Sequence, residues 1–224
     1  MLKNSLQFTV YSLQYRNFLR LCGVFILCAF AVTGCAKREI KNIDSRGRNI
    51  ICFGDSITFG YGANPGEDYP AALAKMIEIP VINAGVDGDT TSGALKRLKP
   101  DVLNRDALIV LIEFGGNDFL SNIPKETTIN NIKEIVEKVQ AQGAMAVIVD
   151  ISAGIFLNEY RAAFSNIARE EQAVFISSLL NGILTNPSLK SDFMHPNAEG
   201  YKIIAQRIYK AIAPCLKQNI SLRK

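Results

Sequence analysis

The sequence predicts an α/β fold, in which one parallel β-sheet is covered by helices on both faces. Short apolar runs alternate along the chain with segments whose apolar residues recur at helical spacing. The apolar runs are continuous, which is typical of strands that are buried on both faces. Regular alternation of strand and helix segments favours parallel strands joined by helical connections.

Five apolar runs are the predicted strands, at residues 50–53, 81–84, 107–114, 145–151 and 174–177. Five further segments are predicted helices, because they combine apolar residues at helical spacing or capping residues at their starts. These are residues 69–77, 90–99, 127–141, 159–170 and 196–213. We therefore expect one folded domain over residues 50–216, with a short C-terminal tail at 217–224.

Unusual polar residues and glycines follow the predicted strands. Ser56 follows the first strand, Gly88 the second and Asn117 the third. Asp192 and His195 lie on the connection after the fifth strand. In open α/β sheets, ligands bind beyond the carboxyl ends of the strands. All five residues are therefore expected at one edge of the sheet.

His195 is the only histidine in the chain, and Asp192 precedes it by three residues. A serine hydroxyl is a weak nucleophile unless a base takes its proton, and a third group must orient that base. Ser56, His195 and Asp192 can fill these three roles. Each motif alone is common turn chemistry, since Gly, Asp and Ser favour turns and helix caps. Their order along the chain is what favours catalysis.

The N-terminus has the pattern of a secretory signal peptide. Residues 1–34 contain three basic residues and no acidic one, and they include an apolar run at 21–32 that is short for a membrane span. Residues 32–35, Val-Thr-Gly-Cys, resemble the bacterial lipoprotein signal, whose cysteine is lipidated after cleavage. We therefore expect a signal peptide over 1–34 and lipid on Cys35, with an uncleaved N-terminal anchor as the alternative.

The predicted lipid determines the expected location of the domain. The polar segment at 35–49 is interpreted as a lipidated tether. The protein is then attached to a membrane in the bacterial cell envelope, on the periplasmic or outer-membrane side. Several acyl chains on one cysteine anchor a protein stably, whereas a single chain binds only marginally.

Composition argues against several other classes of function. Without residues 1–34, the 25 Lys and Arg of the chain fall to 22, against 21 Asp and Glu, which leaves no basic excess for nucleic acid. With one histidine and no cysteine pair at ligand spacing, no metal site is expected. Gly60 and Gly62 are followed by Pro65 where a dinucleotide motif has its third glycine, so no cofactor is expected. The sequence leaves open whether Cys52 and Cys215 pair.

Four aspartates cluster near the predicted strand ends. We expect them to order loops and cap helices rather than to bind metal, since short acidic side chains accept hydrogen bonds from backbone N–H groups at helix starts. They are Asp55, Asp87, Asp89 and Asp118.

Four motifs resemble, in order and spacing, those of the GDSL-type SGNH hydrolases. They are residues 53–60 (FGDSITFG), 83–90 (NAGVDGDT), 115–118 (GGND) and 192–196 (DFMHP). Within this superfamily the chain is most similar to the bacterial acyl-CoA thioesterase, lysophospholipase and arylesterase group. The resemblance spans about residues 50–213, and it implies a three-layer α/β/α sandwich with a five-stranded, flavodoxin-like parallel sheet.

The resemblance also implies roles for individual residues. Ser56 attacks an acyl carbonyl, His195 acts as general base and then as general acid, and Asp192 orients His195. The oxyanion hole consists of the backbone N–H groups of Ser56 and Gly88 and the side-chain amide of Asn117. The expected activity is hydrolysis of ester or thioester bonds in a small acyl ester or lipid.

The sequence does not fix the substrate. Residues 155–157, which are Ile155, Phe156 and Leu157, either line an acyl pocket or belong to the core. A carbohydrate or cell-wall O-acetyl esterase is the enzymatic alternative, with Tyr61 and Tyr69 as candidate aromatics beside the site. A catalytically silent surface-binding lipoprotein is the non-enzymatic alternative, although such a protein has no reason to keep the complete catalytic set. The oligomeric state stays open.

Overall fold

Five strands form a single parallel sheet in the computed structural model, which describes residues 39–152 and 158–223. The strands are β1 (Asn49–Gly54), β2 (Val81–Gly85), β3 (Ala107–Glu113), β4 (Met145–Val149) and β5 (Val174–Ile176). Their order across the sheet is β2-β1-β3-β4-β5, and every neighbouring pair is parallel. This is the flavodoxin-like order of doubly wound sheets, so the predicted fold class is confirmed.

Helices cover both faces of the sheet. The α-helices in the described ranges are α1 (Ser56–Phe59), α2 (Tyr69–Ala74), α3 (Thr91–Leu98), α4 (Gly116–Leu120), α5 (Lys125–Ala141), α6 (Asn158–Glu170) and α7 (Ala198–Arg223). A short π-helix (Lys99–Leu103) and a 3-10 helix (Pro187–Leu189) are also present. Helices α2 and α7 pack on one face, and α3, α5 and α6 pack on the other. No helix within these ranges combines the length and apolar content needed to cross a bilayer.

The strands are apolar on both sides because each side faces a layer of helices. In β1, Ile50 and Cys52 belong to the core under α2 and α7, whereas Ile51 and Phe53 belong to the core under α3, α5 and α6. Strand β4 divides its residues between the two cores in the same way. Cys215 is buried in the same core as Cys52, and the described residues contain no disulfide between them.

Local capping fixes where α2 and α3 begin. The Asp68 carboxylate accepts a hydrogen bond from Ala71 N at 2.8 Å, and the Thr90 hydroxyl accepts one from Gly93 N at 3.3 Å. Such caps are each worth about 1 kcal/mol, because they satisfy backbone N–H groups that have no partner inside the helix. Both helices therefore begin within one residue of their predicted starts.

The order in which strands are added to the sheet reverses at β1. From β1 the chain runs to β2 on one side and then crosses to β3 on the other. A crevice forms beyond the carboxyl ends of strands at such a switch point, and ligands of doubly wound proteins bind there. Ser56 lies two residues after the end of β1, and Asn117 follows β3. The fold thus places two of the predicted site residues at this point.

The folded domain begins earlier than the sequence predicts. The sequence assigns 35–49 to a tether, yet Ile40 and Ile43 pack against the core. The Asn42 amide donates hydrogen bonds to two backbone carbonyls of the domain, at 2.8 and 2.9 Å. From Glu39 onward the segment therefore belongs to the domain, because its apolar side chains join the core and Asn42 satisfies backbone carbonyls of the domain.

The domain also ends later than the sequence predicts. Helix α7 continues through 217–223, most of the segment that the sequence assigns to a tail. Pro214 lies inside this helix and removes a backbone hydrogen bond, but Cys215 and Leu216 beyond it are buried in the core. Asn219 is also buried, and its amide donates to two backbone carbonyls of the N-terminal segment. Packing of the residues beyond Pro214 outweighs the helix-breaking effect of the proline.

Candidate active site

Ser56 lies at the sharp turn between β1 and α1. Asp55 caps this one-turn helix, since its Oδ1 accepts a hydrogen bond from Ile57 N at 3.1 Å. Gly60 ends the helix with a left-handed φ of +98°, a conformation that favours glycine. Because Ser56 is the first residue of the helix, its N–H has no acceptor within the helix. The turn therefore presents a hydroxyl and a backbone donor from the same residue.

Ser56, His195 and Asp192 are hydrogen-bonded in series. His195 Nε2 lies 3.1 Å from Ser56 Oγ, and His195 Nδ1 lies 2.8 Å from Asp192 Oδ2. A carboxylate can only accept, so Nδ1 carries a proton and the lone pair of neutral Nε2 faces the serine hydroxyl. The structure brings together all three residues that the sequence assigns to nucleophile, base and orienting group.

The loop that carries the histidine is held by its own hydrogen bonds. Asp192 Oδ1 accepts from the backbone N–H groups of Met194 and His195, each at 2.8 Å. Ser191 N donates to the His195 carbonyl at 3.0 Å. The ring of Tyr61 packs on the imidazole with its centroid 4.4 Å away. Contacts on two sides thus fix the position of the imidazole.

Asp192 is ionised at neutral pH. Partial burial raises the pKa of this carboxyl, but the hydrogen bonds from the His195 ring and from two backbone N–H groups outweigh it, so the pKa is lowered overall. The side chain is 46% exposed, whereas that of His195 is 13% exposed. A charged carboxylate beside a largely buried imidazole can stabilise the imidazolium that forms when the ring takes a proton.

Asn117 bridges the loops that follow β1 and β2. Its Nδ2 donates to Asp55 Oδ2 at 3.2 Å and to the Asp89 carbonyl at 3.0 Å. The next residue, Asp118, is buried and accepts from Thr91 N at 3.0 Å, which caps α3 and ties α4 to it. The Asn117 amide is therefore a fixed neutral donor group at the switch point.

Gly88 lies in the turn after β2. Its φ of +73° is one that residues with a Cβ rarely adopt, and a Cβ built there meets no atom within 4 Å. The left-handed conformation of the turn, and not a lack of space, is therefore the reason for a glycine at position 88. The open space beside it also leaves the backbone accessible to a bound molecule.

Arg97 holds this turn, and the sequence analysis did not identify it. Its guanidinium donates to Asp89 Oδ2 at 2.7 Å, to the Ala84 carbonyl at 2.8 Å and to the Gly54 carbonyl at 2.9 Å. It also lies over the Phe53 ring, 4.4 Å from the centroid. Its partners are far apart in sequence, so only the folded chain reveals its role of joining the ends of β1 and β2.

The predicted roles of the other aspartates are mixed. Asp55 and Asp118 cap α1 and α3 as expected, and Asp89 pairs with Arg97. Asp87 is exposed and caps no helix. No group of three or more potential metal-binding side chains exists in the described residues.

Two tyrosines named as flanking aromatics behave differently. Tyr61 is 44% exposed and lies against His195. Tyr69 is fully buried under the sheet, so it cannot flank a bound substrate, and that prediction is wrong. Tyr69 begins a helix, and residues at helix starts are often exposed. Its ring instead fills the core between α2 and β1.

The remaining predicted residues lie outside the described part of the chain. These are the candidate acyl-pocket residues Ile155, Phe156 and Leu157, and the candidate lipidation site Cys35. Their roles stay predictions.

The fold and this arrangement together define a class of protein. A serine, a histidine and a carboxylate hydrogen-bonded in series, beside fixed N–H donors at the switch point of an α/β sheet, are the arrangement of the serine hydrolases. The family model described as GDSL-like Lipase/Acylhydrolase family matches residues 52–203. The chain belongs to this family.

Three relatives show how widely the resemblance extends. The chain is 26% identical over 178 residues to "Thioesterase 1/protease 1/lysophospholipase L1" of Escherichia coli, covering 76% of this chain and 86% of the relative. It is 26% identical over 169 residues to an arylesterase of Vibrio mimicus, covering 70% and 84%. The crystal structure of the psychrotrophic esterase EstA from Pseudoalteromonas sp., inhibited by monoethylphosphonate, matches with a TM-score of 0.68 at 28% identity, covering 76% and 99%. The protein is a hydrolase that acts on ester bonds.

Proposed function

We propose that this protein is a serine esterase or thioesterase in which Ser56 is the nucleophile. The series of hydrogen bonds from Asp192 through His195 to Ser56 is the observation that carries the proposal. As Ser56 Oγ attacks the acyl carbon, its proton passes to His195 Nε2. The imidazolium then gives this proton to the leaving alcohol or thiol, which leaves an acyl-enzyme. Water, deprotonated by His195, releases the acid and regenerates the serine.

Three donors stabilise the oxyanion in this proposal. They are the N–H groups of Ser56 and Gly88 and the Nδ2 of Asn117. Preorganised donors of this kind are effective because they face charge that develops only in the transition state. Support comes from the position of Ser56 at the start of α1 and from the open backbone at Gly88. In the free protein the Asn117 amide donates its two N–H groups to Asp55 Oδ2 and to the Asp89 carbonyl, so one of these bonds gives way when the amide binds the oxyanion.

Acyl or aryl esters are the proposed substrates. Several large apolar side chains are exposed in the segments that also carry the site residues, and exposed apolar side chains that cluster mark binding surfaces. They are Phe59, Val86, Phe119, Leu120, Phe193 and Met194. Exposed apolar side chains on these segments suit an apolar acyl or aryl group better than a sugar.

A panel of p-nitrophenyl esters from acetyl to palmitoyl tests this function. We expect turnover that exceeds that of Ser56→Ala, with highest kcat/KM for an acyl chain longer than acetyl. An activity that falls steeply beyond acetyl supports the O-acetyl esterase instead, which the exposed ring of Tyr61 beside His195 favours. No turnover above Ser56→Ala at any chain length, from folded protein, contradicts the proposal and favours the silent binding protein.

We further propose that the domain is anchored in the cell envelope through lipid on Cys35. The sequence motif at 32–35 supports this location. Glu39, where the described domain begins, is only the fourth residue after Cys35, and four residues span at most about 14 Å. The hydrolase would therefore work close to a membrane surface, where acyl lipids are available.

Replacing the predicted lipidation site tests the anchor. We expect wild type expressed in a bacterium to incorporate labelled palmitate and to sediment with membranes, because diacylated and triacylated cysteines bind bilayers stably. Cys35→Ala is expected to incorporate no label. Cys28→Ala, which changes a cysteine inside the predicted signal peptide, is the matched control and keeps the label. Equal labelling of Cys35→Ala and wild type contradicts the anchor.

A further inference from the structure

Two carboxyl groups are buried together directly under the site. Asp55 is 2% exposed and Glu113, the last residue of β3, is fully buried. The two side chains are within hydrogen-bonding reach of each other. The titratable groups that face them are Asp89, His195, Tyr69 and Tyr201, none of which is a lysine or arginine. Among these neighbours His195 alone can carry a positive charge, when it is protonated, and that charge lowers the pKa of Asp55. No permanently charged cation among them balances a second negative charge.

The hydrogen bonds around Glu113 run in one direction. Thr58 Oγ1 donates to Glu113 Oε2 at 2.7 Å, so its only proton is used there. Tyr69 OH, 2.9 Å from Thr58 Oγ1, must then donate to the threonine. Glu113 Oε1 is fully buried and meets no donor or hydroxyl among the described residues. An unpartnered buried oxygen of this kind is costly unless it carries a proton that it can donate.

The hydrogen bonds around Asp55 show which of its oxygens accept. Asp55 Oδ1 accepts from Ile57 N at 3.1 Å, and Oδ2 accepts from Asn117 Nδ2 at 3.2 Å. Both oxygens therefore act as acceptors, as expected for an ionised carboxylate. A proton on Glu113 Oε1 that is donated to Asp55 would give this oxygen a partner and would complete the series of hydrogen bonds from Tyr69 to Asn117.

The pKa values of the two carboxyls are both raised, as expected if they share one proton. Burial, then the charge of Asp55, raises the pKa of Glu113 well above its usual range. Burial raises the pKa of Asp55 to about 7, although its hydrogen bonds from Ile57 and Glu113 oppose this. Two carboxylates in contact titrate as a pair, and the first proton to leave belongs to the pair rather than to one residue.

Gly54 makes room for this arrangement. A Cβ on Gly54 would lie 2.6 Å from Glu113 Oε2, and closer still to Thr58 Oγ1. Any side chain at this position would push the Glu113 carboxyl or the Thr58 hydroxyl out of place. The glycine of the Gly54-Asp55-Ser56 turn thus serves the buried pair.

We propose that Asp55 and Glu113 share a single proton at mildly alkaline pH, held on Glu113, and that the pair is a positioning unit that aims the Asn117 amide at the oxyanion. This inference rests on the proposed role of Asn117 as an oxyanion donor. Charge-assisted hydrogen bonds are stronger than neutral ones, so ionised Asp55 keeps one N–H of the amide. The other N–H, which meets the Asp89 carbonyl in the free protein, is the one that turns to the oxyanion. A second charge on Glu113 would oppose the developing oxyanion, and a neutral Asp55 would hold the amide less firmly.

Infrared spectroscopy tests the shared proton without reference to activity. At mildly alkaline pH we expect wild type to show the C=O stretching band of a protonated carboxylic acid, which is distinct from carboxylate bands. The band disappears in Glu113→Gln and persists in Ser56→Ala. A wild-type spectrum with no protonated carboxyl, or a band that is unchanged in Glu113→Gln, overturns the proposal. Either result is independent of whether the protein hydrolyses any ester.

Kinetics test the positioning role. Gln at 113 keeps one acceptor for Thr58 and one donor for Asp55, whereas Leu has a similar size and neither group. We expect Glu113→Gln to lose less than about threefold in kcat, and Glu113→Leu to lose roughly tenfold or more with little change in KM. Loss of the donor also raises the pKa of Asp55, so the acid limb of the Glu113→Leu pH profile moves to higher pH.

Comparing Glu113→Gln with Glu113→Leu separates the hydrogen-bonding role of Glu113 from its role in packing. Circular dichroism and thermal melting establish that both variants fold. Equal kcat values and unshifted pH profiles for Glu113→Gln and Glu113→Leu contradict the positioning role. If wild type hydrolyses no ester, the proposed function fails. The infrared result still shows whether Asp55 and Glu113 share a proton.

Discussion

Ser56→Ala and His195→Ala are each expected to lower kcat by about 10⁴-fold or more while the protein remains folded. Ser56 Oγ is the atom that attacks, and His195 Nε2, 3.1 Å away, is the base that activates it. The chain contains no second histidine that could replace the base. Both side chains lie at the edge of the sheet, so truncating them leaves the two cores intact. Stopped or continuous assays on one activated ester measure the effect.

The double variant provides the internal control for these two losses. Residues that act as one catalytic unit have strongly non-additive effects. We therefore expect Ser56→Ala/His195→Ala to be no slower than either single variant. A double variant whose loss is the product of the single losses would show that the two residues act separately. Wild-type activity in Ser56→Ala would remove the serine from the mechanism.

Asn117→Ala is expected to lower kcat by roughly 10²–10³-fold with a small change in KM, because an oxyanion donor acts mainly in the transition state. Asn131→Ala is a matched control. The Asn131 amide also bridges two acceptors, Thr91 Oγ1 at 2.9 Å and Ser92 Oγ at 3.1 Å, but it contacts no site residue. Its loss should change kcat by about twofold at most. Similar kcat values for the two variants would mean that Asn117 only orders its loop.

The elements that the sequence predicted best are the strands. Continuous apolar runs identify strands buried on both faces, and each predicted strand overlaps the observed one to within two residues at either end. Helices α1 and α4 were not predicted, because each is about one turn long and shows no helical periodicity. The end of α7 was not predicted because Pro214 resembles a helix stop, whereas burial of Leu216 continues the helix.

The candidate site could be predicted only where its residues follow strands. The rule that ligands bind at the carboxyl ends of parallel strands places Ser56, Asn117 and His195 together without any contact being known. Arg97 and Glu113 escape that rule. Arg97 lies within a helix, and its partners come from three separate segments. Glu113 is the end of an apolar strand, and only the folded chain shows that its carboxyl meets Asp55.

Labelling with an alkyl phosphonate tests the central claim most directly. A p-nitrophenyl alkylphosphonate transfers its phosphonyl group to an activated serine as p-nitrophenol leaves, and the adduct imitates the tetrahedral intermediate. The EstA structure was solved with a phosphonate inhibitor. We predict one adduct per chain, located by mass spectrometry on the peptide that contains Ser56, and no adduct in Ser56→Ala or His195→Ala. An adduct on another residue, or ester turnover by a wild-type protein that takes up no phosphonate, would contradict the assignment of Ser56 as the activated nucleophile.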